Sequence, residues 1–213
     1  MDHPNTAPRS GTNMASIKLA PMRVFSGLAI RWTMVFLALH LAVPPFTIAQ
    51  SKSAGEYEVK AAFLYNFAKF IDWPANSFAG PQSPFLICIL GADPFGRAMD
   101  DALQGKMVGS HLVAIQRVKE FADLRHCQMV FVSSSESPRL AKILQSLRGS
   151  SVLVVGESEG FAIAGGTIQF AIEQDRVRFL INPDAAENAG IKVSSKLLAL
   201  AKVVHPGSQS GKD

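Results

Sequence analysis

The sequence predicts an α/β protein: a three-layer α/β/α sandwich on a mostly parallel sheet, with an antiparallel hairpin at its C-terminal edge. Three observations predict it. Short apolar runs alternate with helical segments through residues 57–155, and such a β-α-β-α-β rhythm implies parallel strands with right-handed crossovers. Runs such as Phe85-Leu-Ile-Cys-Ile-Leu90 are apolar at every position, as expected of strands covered on both faces. The style then changes. Residues 167–172 and 176–181 read as two strands joined by Glu173-Gln-Asp-Arg176, with Arg176 and Arg178 alternating with Val177 and Phe179. That is a hairpin with one wet face.

Residues 57–73 read as the first helix, which stops where Trp73 precedes Pro74, because the residue before a proline disfavours helical geometry. Phe63, Leu64, Tyr65, Phe67, Phe70, Ile71 and Trp73 cover more than one face, whereas a surface helix carries a single apolar stripe. The helix is therefore expected to be covered twice, by the sheet and by either a second helix or a partner chain. A loop rich in Pro, Gly and Ser follows, then the strand at 85–90. Asp93 is expected to cap a short helix over residues 94–103, with Pro94 at its first position. Strands follow at 112–116, 128–133 and 152–155, with a helical turn at 119–124 and a helix at 138–147 capped by Ser137. One last helix is expected from Pro183, capped by Asn182, to Val204, with Gly190 as a point where it breaks into two pieces.

Residues 1–49 read as an export leader. Lys18, Arg23 and Arg31 give a positive start. The apolar core at 32–43 is shorter than the roughly 20 residues of a membrane span. Thr47-Ile48-Ala49 offers the small residues of a cleavage site, so the exported chain is expected to begin at Gln50. An uncleaved anchor is the rival reading, and Met14, Met22 and Met34 are alternative starts. Residues 50–204 then form one α/β domain, and the polar residues 205–213 a disordered tail. The leader carries Arg9, Lys18, Arg23 and Arg31 against Asp2, most of the chain's net charge of +4. The exported part is close to neutral, and no basic stripe interleaves with aromatics. Nucleic acid is therefore not an expected partner.

Cys88 and Cys127 are the two cysteines, both in the exported part. A disulfide is the natural expectation in an oxidising compartment. Two buried thiols are the alternative. A metal site at Cys127 and His126 lacks further ligands.

Templates for catalysis fail in turn. Gly91-Ala-Asp-Pro-Phe-Gly96 sits where a phosphate loop would, yet it matches neither nucleotide fingerprint. Asp93 would repel a phosphate, and Pro94 removes an amide donor. No GxSxG elbow is present. His111, His126 and His205 have no metal-ligand spacing. No catalytic residue, metal or cofactor is expected. Ser133, Ser134 and Ser135 follow a buried strand, where open α/β sheets bind ligands. Asp93, Ser133 and Ser134 are thus candidate contacts for a small molecule, beside plainer roles in turns and caps.

Several segments together resemble the YfiR family. They begin with Glu58-Val59-Lys60-Ala61-Ala62-Phe63-Leu64-Tyr65-Asn66-Phe67 and Trp73-Pro74. They continue through Ile87-Cys88-Ile89-Leu90-Gly91, Asp93-Pro94-Phe95-Gly96, His126-Cys127, Val155-Gly156-Glu157 and Gly165-Gly166-Thr167-Ile168. The last are Val177-Arg178-Phe179, Ile181-Asn182 with Ala185-Ala186, and Ile191-Lys192-Val193-Ser194-Ser195-Lys196-Leu197-Leu198. The resemblance implies the same fold class and supports the Cys88–Cys127 bridge. The family pattern often includes a second cysteine pair, which this chain lacks.

By the resemblance, the protein is periplasmic and non-catalytic. It binds the periplasmic domain of an inner-membrane signalling protein, a diguanylate cyclase of cyclic-di-GMP signalling, and restrains it. The resemblance also fits a homodimer. The alternative is a periplasmic small-molecule sensor acting on a histidine kinase or another membrane partner. Large aromatics are the usual anchors of interfaces. Tyr65, Trp73 and Phe78 near the end of the first helix, with Phe161 before the hairpin, are the expected partner-binding residues.

Overall fold

The computed structural model describes residues 47–206. The expected leader, up to its last three residues, and the tail beyond Pro206 lie outside the described residues. The chain opens with helix α1, Thr47–Lys69. Strand β1 is Ile71–Asp72 and β2 is Phe85–Leu90. Helix α2 (Arg97–Leu103) leads to the hairpin strands β3 (Met107–Val108) and β4 (His111–Val118). Then come β5 (Met129–Val132), α3 (Leu140–Ser146) and β6 (Leu153–Gly156). The hairpin is β7 (Ile168–Glu173) and β8 (Arg176–Ile181). The chain closes with α4 (Pro183–Asn188), β9 (Lys192–Val193), α5 (Ser195–Leu198) and β10 (Lys202–Val203).

The main sheet has eight strands in the order β10-β8-β7-β6-β5-β2-β4-β3. Strands β4, β2, β5, β6 and β7 run parallel, β3 is antiparallel to β4 and β8 to β7, and β10 runs parallel to β8. Strand β2 shows why every position is apolar. Phe85, Ile87 and Ile89 face one core with α1 and α2, whereas Cys88 and Leu90 face a second core with α3. Helices therefore cover both faces, and the expected sandwich with its antiparallel edge is what forms.

Helix α1 is covered twice, as its sequence requires. Leu64, Phe67 and Ala68 are fully buried in the first core, beside Met99 and Leu103 of α2. Its end differs from expectation. The helix stops at Lys69, and Ile71–Asp72 pair with Val193 and Lys192 in a separate two-stranded sheet. The Trp73 indole Nε1 donates to the Ala68 carbonyl at 2.9 Å. A side chain thereby satisfies one of the carbonyls that every helix end leaves open.

Three further expectations are corrected. Helix α2 starts at Arg97 after Gly96 at φ 52°. Asp93 instead closes a turn, its Oδ1 accepting from the amides of Phe95 (2.8 Å) and Gly96 (3.2 Å). The cap before α3 is Ser133, whose side chain accepts from the Ser135 amide, and the segment Ser134–Arg139 is a 3-10 turn. The long final helix is not formed. Gly190 takes φ 67°, its amide donates to the Glu187 carbonyl, and that of Ile191 to Ala186, at 2.9 Å each. This is a Schellman stop, which a glycine accepts without strain. The chain then pairs as β9, and Ser194 caps α5.

Candidate functional site

Three of the four partner-binding candidates meet at the C-terminal end of α1. Tyr65 is half-buried, and its hydroxyl donates to the Met107 carbonyl at 3.1 Å. The ammonium groups of Lys69 and Lys106 lie 5.4 and 5.8 Å from its ring centre. Trp73 stands edge-on to the buried Phe85 ring at 5.0 Å. Phe78 stacks flat on His111, with ring centres 3.8 Å apart and planes 4° apart. His111 Nδ1 is 2.7 Å from the Ser83 carbonyl, an acceptor, so that nitrogen carries the proton.

Beside Tyr65 lies a groove of about 400 Å³, lined by Ile71, Trp73, Phe78, Met107, Val108 and His111 among others. Met107 is 44% exposed at its rim. An open groove lined mainly by apolar side chains, with Lys69 and Asp72 both on its lining, can take an apolar side chain. Sequence reasoning missed Met107 and left His111 as an ordinary edge residue. The signal available was Gly109-Ser110 between Val108 and His111, the turn of a short hairpin.

Phe161 does not belong to this surface. It is fully buried and lies between Gly156 and Gly166, where an added Cβ would come within 2.3 and 2.1 Å of its ring. The two glycines make room for the ring, which seals the core beneath α3.

The crevice at the ends of β2 and β5 is filled by the protein's own groups. Asp93 Oδ2 accepts from Arg117 Nε at 2.8 Å, while its Oδ1 holds the turn already described. Ser133 is buried. Its Oγ accepts from the Ser135 amide at 3.5 Å, and Ser135 Oγ accepts from the Ala92 amide at 3.0 Å. The exposed Ser134 gives its carbonyl to the Ser137 hydroxyl. Gly91 must be a glycine here, since a Cβ would sit 2.5 Å from Ser135 Oγ.

Cys88 and Cys127 are joined by a disulfide, both sulfurs inside the second core. The bridge ties β2 to the entry of β5.

A charged cluster that the sequence did not reveal sits where α1 crosses the end of β6. Lys60 Nζ lies 2.7 Å from Glu157 Oε2 and 2.5 Å from Glu56 Oε1, with the Lys60 and Glu157 side chains 4% and 9% exposed. The Tyr57 hydroxyl donates to Glu157 at 3.2 Å, and the Lys60 ammonium sits 4.4 Å above the Tyr57 ring. Burial alone would lower the Lys60 pKa. Hydrogen bonds to Glu157 and Glu56 outweigh it and raise the value. Burial, then the Glu157 charge, raises that of Tyr57.

These contacts join the segments singled out in the sequence. Lys60 belongs to the first, Glu157 to Val155-Gly156-Glu157, and the Trp73-Pro74 pair closes α1. A family model described as YfiR/HmsC-like matches residues 57–202. Among solved structures, the chain is similar to a Streptococcus pneumoniae domain described as the ABC domain in complex with L-Trp. The two are 12% identical, with 68% of this chain and 60% of that one covered and a TM-score of 0.49. It is also similar to a conserved domain protein from Vibrio cholerae at 9% identity, covering 69% of this chain and 59% of that one, with a TM-score of 0.48. This chain thus spans less than two thirds of the length of either. The family match runs from α1 to β10 through every element just described, and the chain belongs to the YfiR/HmsC-like family of periplasmic regulators.

Proposed function

We propose that this protein is exported by its leader, cut after Ala49, and restrains an inner-membrane signalling protein by binding its periplasmic domain. The target is a diguanylate cyclase, so restraint lowers cyclic-di-GMP. The observation that carries this reading is the groove at the end of α1. Trp73, Phe78 and Met107 line it, with Tyr65 beside Met107, and partly exposed aromatic clusters of this kind anchor protein interfaces.

The mechanism is a population shift. A restrainer favours its target's inactive state by binding that state better. Moving the target from mostly active to mostly inactive takes roughly 5 kcal/mol of differential binding. An interface of ordinary size can supply it. The chain itself carries out no chemistry in this account.

Met107→Glu tests the reading with little risk to the fold, because the side chain is 44% exposed. A carboxylate at the rim of an apolar groove is expected to weaken capture of the target from membranes at least tenfold, with the melting temperature unchanged. Equal capture by the variant removes the groove from the account.

A further inference from the structure

We propose a second docking surface, the open edge of β8, for an extended partner segment that alternates apolar and acidic residues. The β8–β10 ladder covers only Leu180 and Ile181. Residues 176–179 therefore have no neighbouring strand on that side among the described residues. The Ile181 carbonyl accepts from the Val204 amide at 2.9 Å, which fixes Ile181 as pointing outward. Backbone groups alternate along an antiparallel strand, so Phe179 and Val177 point outward too. Such an edge is a template for strand addition.

The two faces of the edge differ, and the difference states what fits. On the α1 side, Val59, Phe63, Ile172 and Val177 line a groove of about 470 Å³, whose rim also carries Glu56, Asp175 and Arg176. Glu56 is already paired with Lys60, and Val59 and Ile172 are 45% and 49% exposed. Arg178 stands on the opposite face, and Arg176, of the same strand parity, sits at the end of the strand where it also reaches the groove rim. Glu173 lies opposite Arg176 in the hairpin register, whereas Arg178 lies opposite Ala171 and makes no ion pair among the described residues. An added strand places alternate side chains on opposite faces. Its apolar residues enter the groove, and its carboxylates meet Arg178.

The same arginines argue against a second copy. A two-fold pairing of β8 with itself keeps each face on its own side. Registers centred on Arg176, Val177 or Arg178 set arginine opposite arginine, and like charges directly opposite destabilise a strand pair. One centred on Phe179 needs Leu180 and Ile181, which β10 already covers. The other end of the sheet offers less. Strand β3 covers β4 only at His111 and Leu112, but Arg117 there is already bound by Asp93 and Asp100 at 2.8 and 2.7 Å.

The probes are two synthetic peptides, one alternating Glu and Val, the other Lys and Val, titrated into protein purified after expression of the full chain. The Glu–Val peptide is expected to bind and to shift the amide resonances of Val177 and Phe179. Arg178→Glu should weaken it at least tenfold and give the Lys–Val peptide the advantage. Arg178→Gln, which keeps a neutral side chain of similar length, should fall between. Several results overturn the proposal: no binding of the Glu–Val peptide at millimolar concentration, resonance shifts elsewhere, affinity unchanged in both variants, or a dimer in sedimentation that Arg178→Glu disrupts. Failure here leaves the α1 groove untouched, because that surface is read out by capture of the membrane partner.

Discussion

Lys60 and Glu157 form the pair whose loss should be felt most. Each is almost wholly buried, at 4% and 9% exposure, and removing one partner leaves the other as an uncompensated buried charge. Lys60→Met is expected to cost about 3–5 kcal/mol of unfolding free energy, while Lys60→Met with Glu157→Gln recovers part of it. Denaturant unfolding of the single and double variants checks both. Their pH dependence has a definite sign. Lys60 and Tyr57 both hold their protons more tightly when folded. Their contribution is complete below their ordinary values, near pH 10, and is lost as the pH rises through the higher folded values. Unfolding free energy should fall above about pH 10, with a shallower slope in a Lys60→Met, Tyr57→Phe double variant. Gly166→Ala is a third test. Its Cβ would sit 2.1 Å from the Phe161 ring, and such overpacking costs about 1–3 kcal/mol.

At the scale of elements, the disulfide holds β2 to β5 and closes a loop with a sequence separation of 39. Cys88→Ser is expected to lower stability by about 4 kcal/mol in the chain-entropy model without opening a new activity. Melting that is unchanged by reductant would contradict this. Elements buried on both faces were legible in the sequence. Strand β2 was read to its ends because Pro84 and Gly91 bound an unbroken apolar run. The segment from Gly190 to Val204 was not. Ile191, Leu197, Leu198 and Ala201 fit a helical spacing, but local hydrogen bonds decide the outcome there: the Schellman stop at Gly190, the cap at Ser194, and pairing with β1. The end of α1 was misplaced for a similar reason. Trp73 acts through its indole as a cap, which no periodicity shows. Of the candidate site, Tyr65 and Trp73 were legible as part of an expected helix with too many aromatics, and Phe78 as an aromatic in the loop just after it. His111 and Met107 were not, because a hairpin more than thirty residues away in sequence brings them there. Phe161 looked like a loop aromatic only because its two glycine neighbours lie apart in the chain.

For the whole molecule, two surfaces flank α1. One is the aromatic groove at its end, the other the β8 edge beside its middle. The charged cluster of Glu56, Tyr57, Lys60 and Glu157 ties the same helix to the end of β6. A restrainer of this design presents a rigid helix to its target, so little ordering is needed on binding. No helix among the described residues is long and apolar enough to cross a membrane, and the account places the membrane anchor in the target. The most direct test is a crosslinked capture of the exported protein from its own cells, wild type beside Met107→Glu. Cyclic-di-GMP is measured in the same strains and in a deletion strain. The account predicts that a membrane cyclase is recovered with wild type and lost with the variant, and that cyclic-di-GMP rises in both the variant and the deletion. Recovery of a kinase or of nothing, with cyclic-di-GMP flat on deletion, would contradict it.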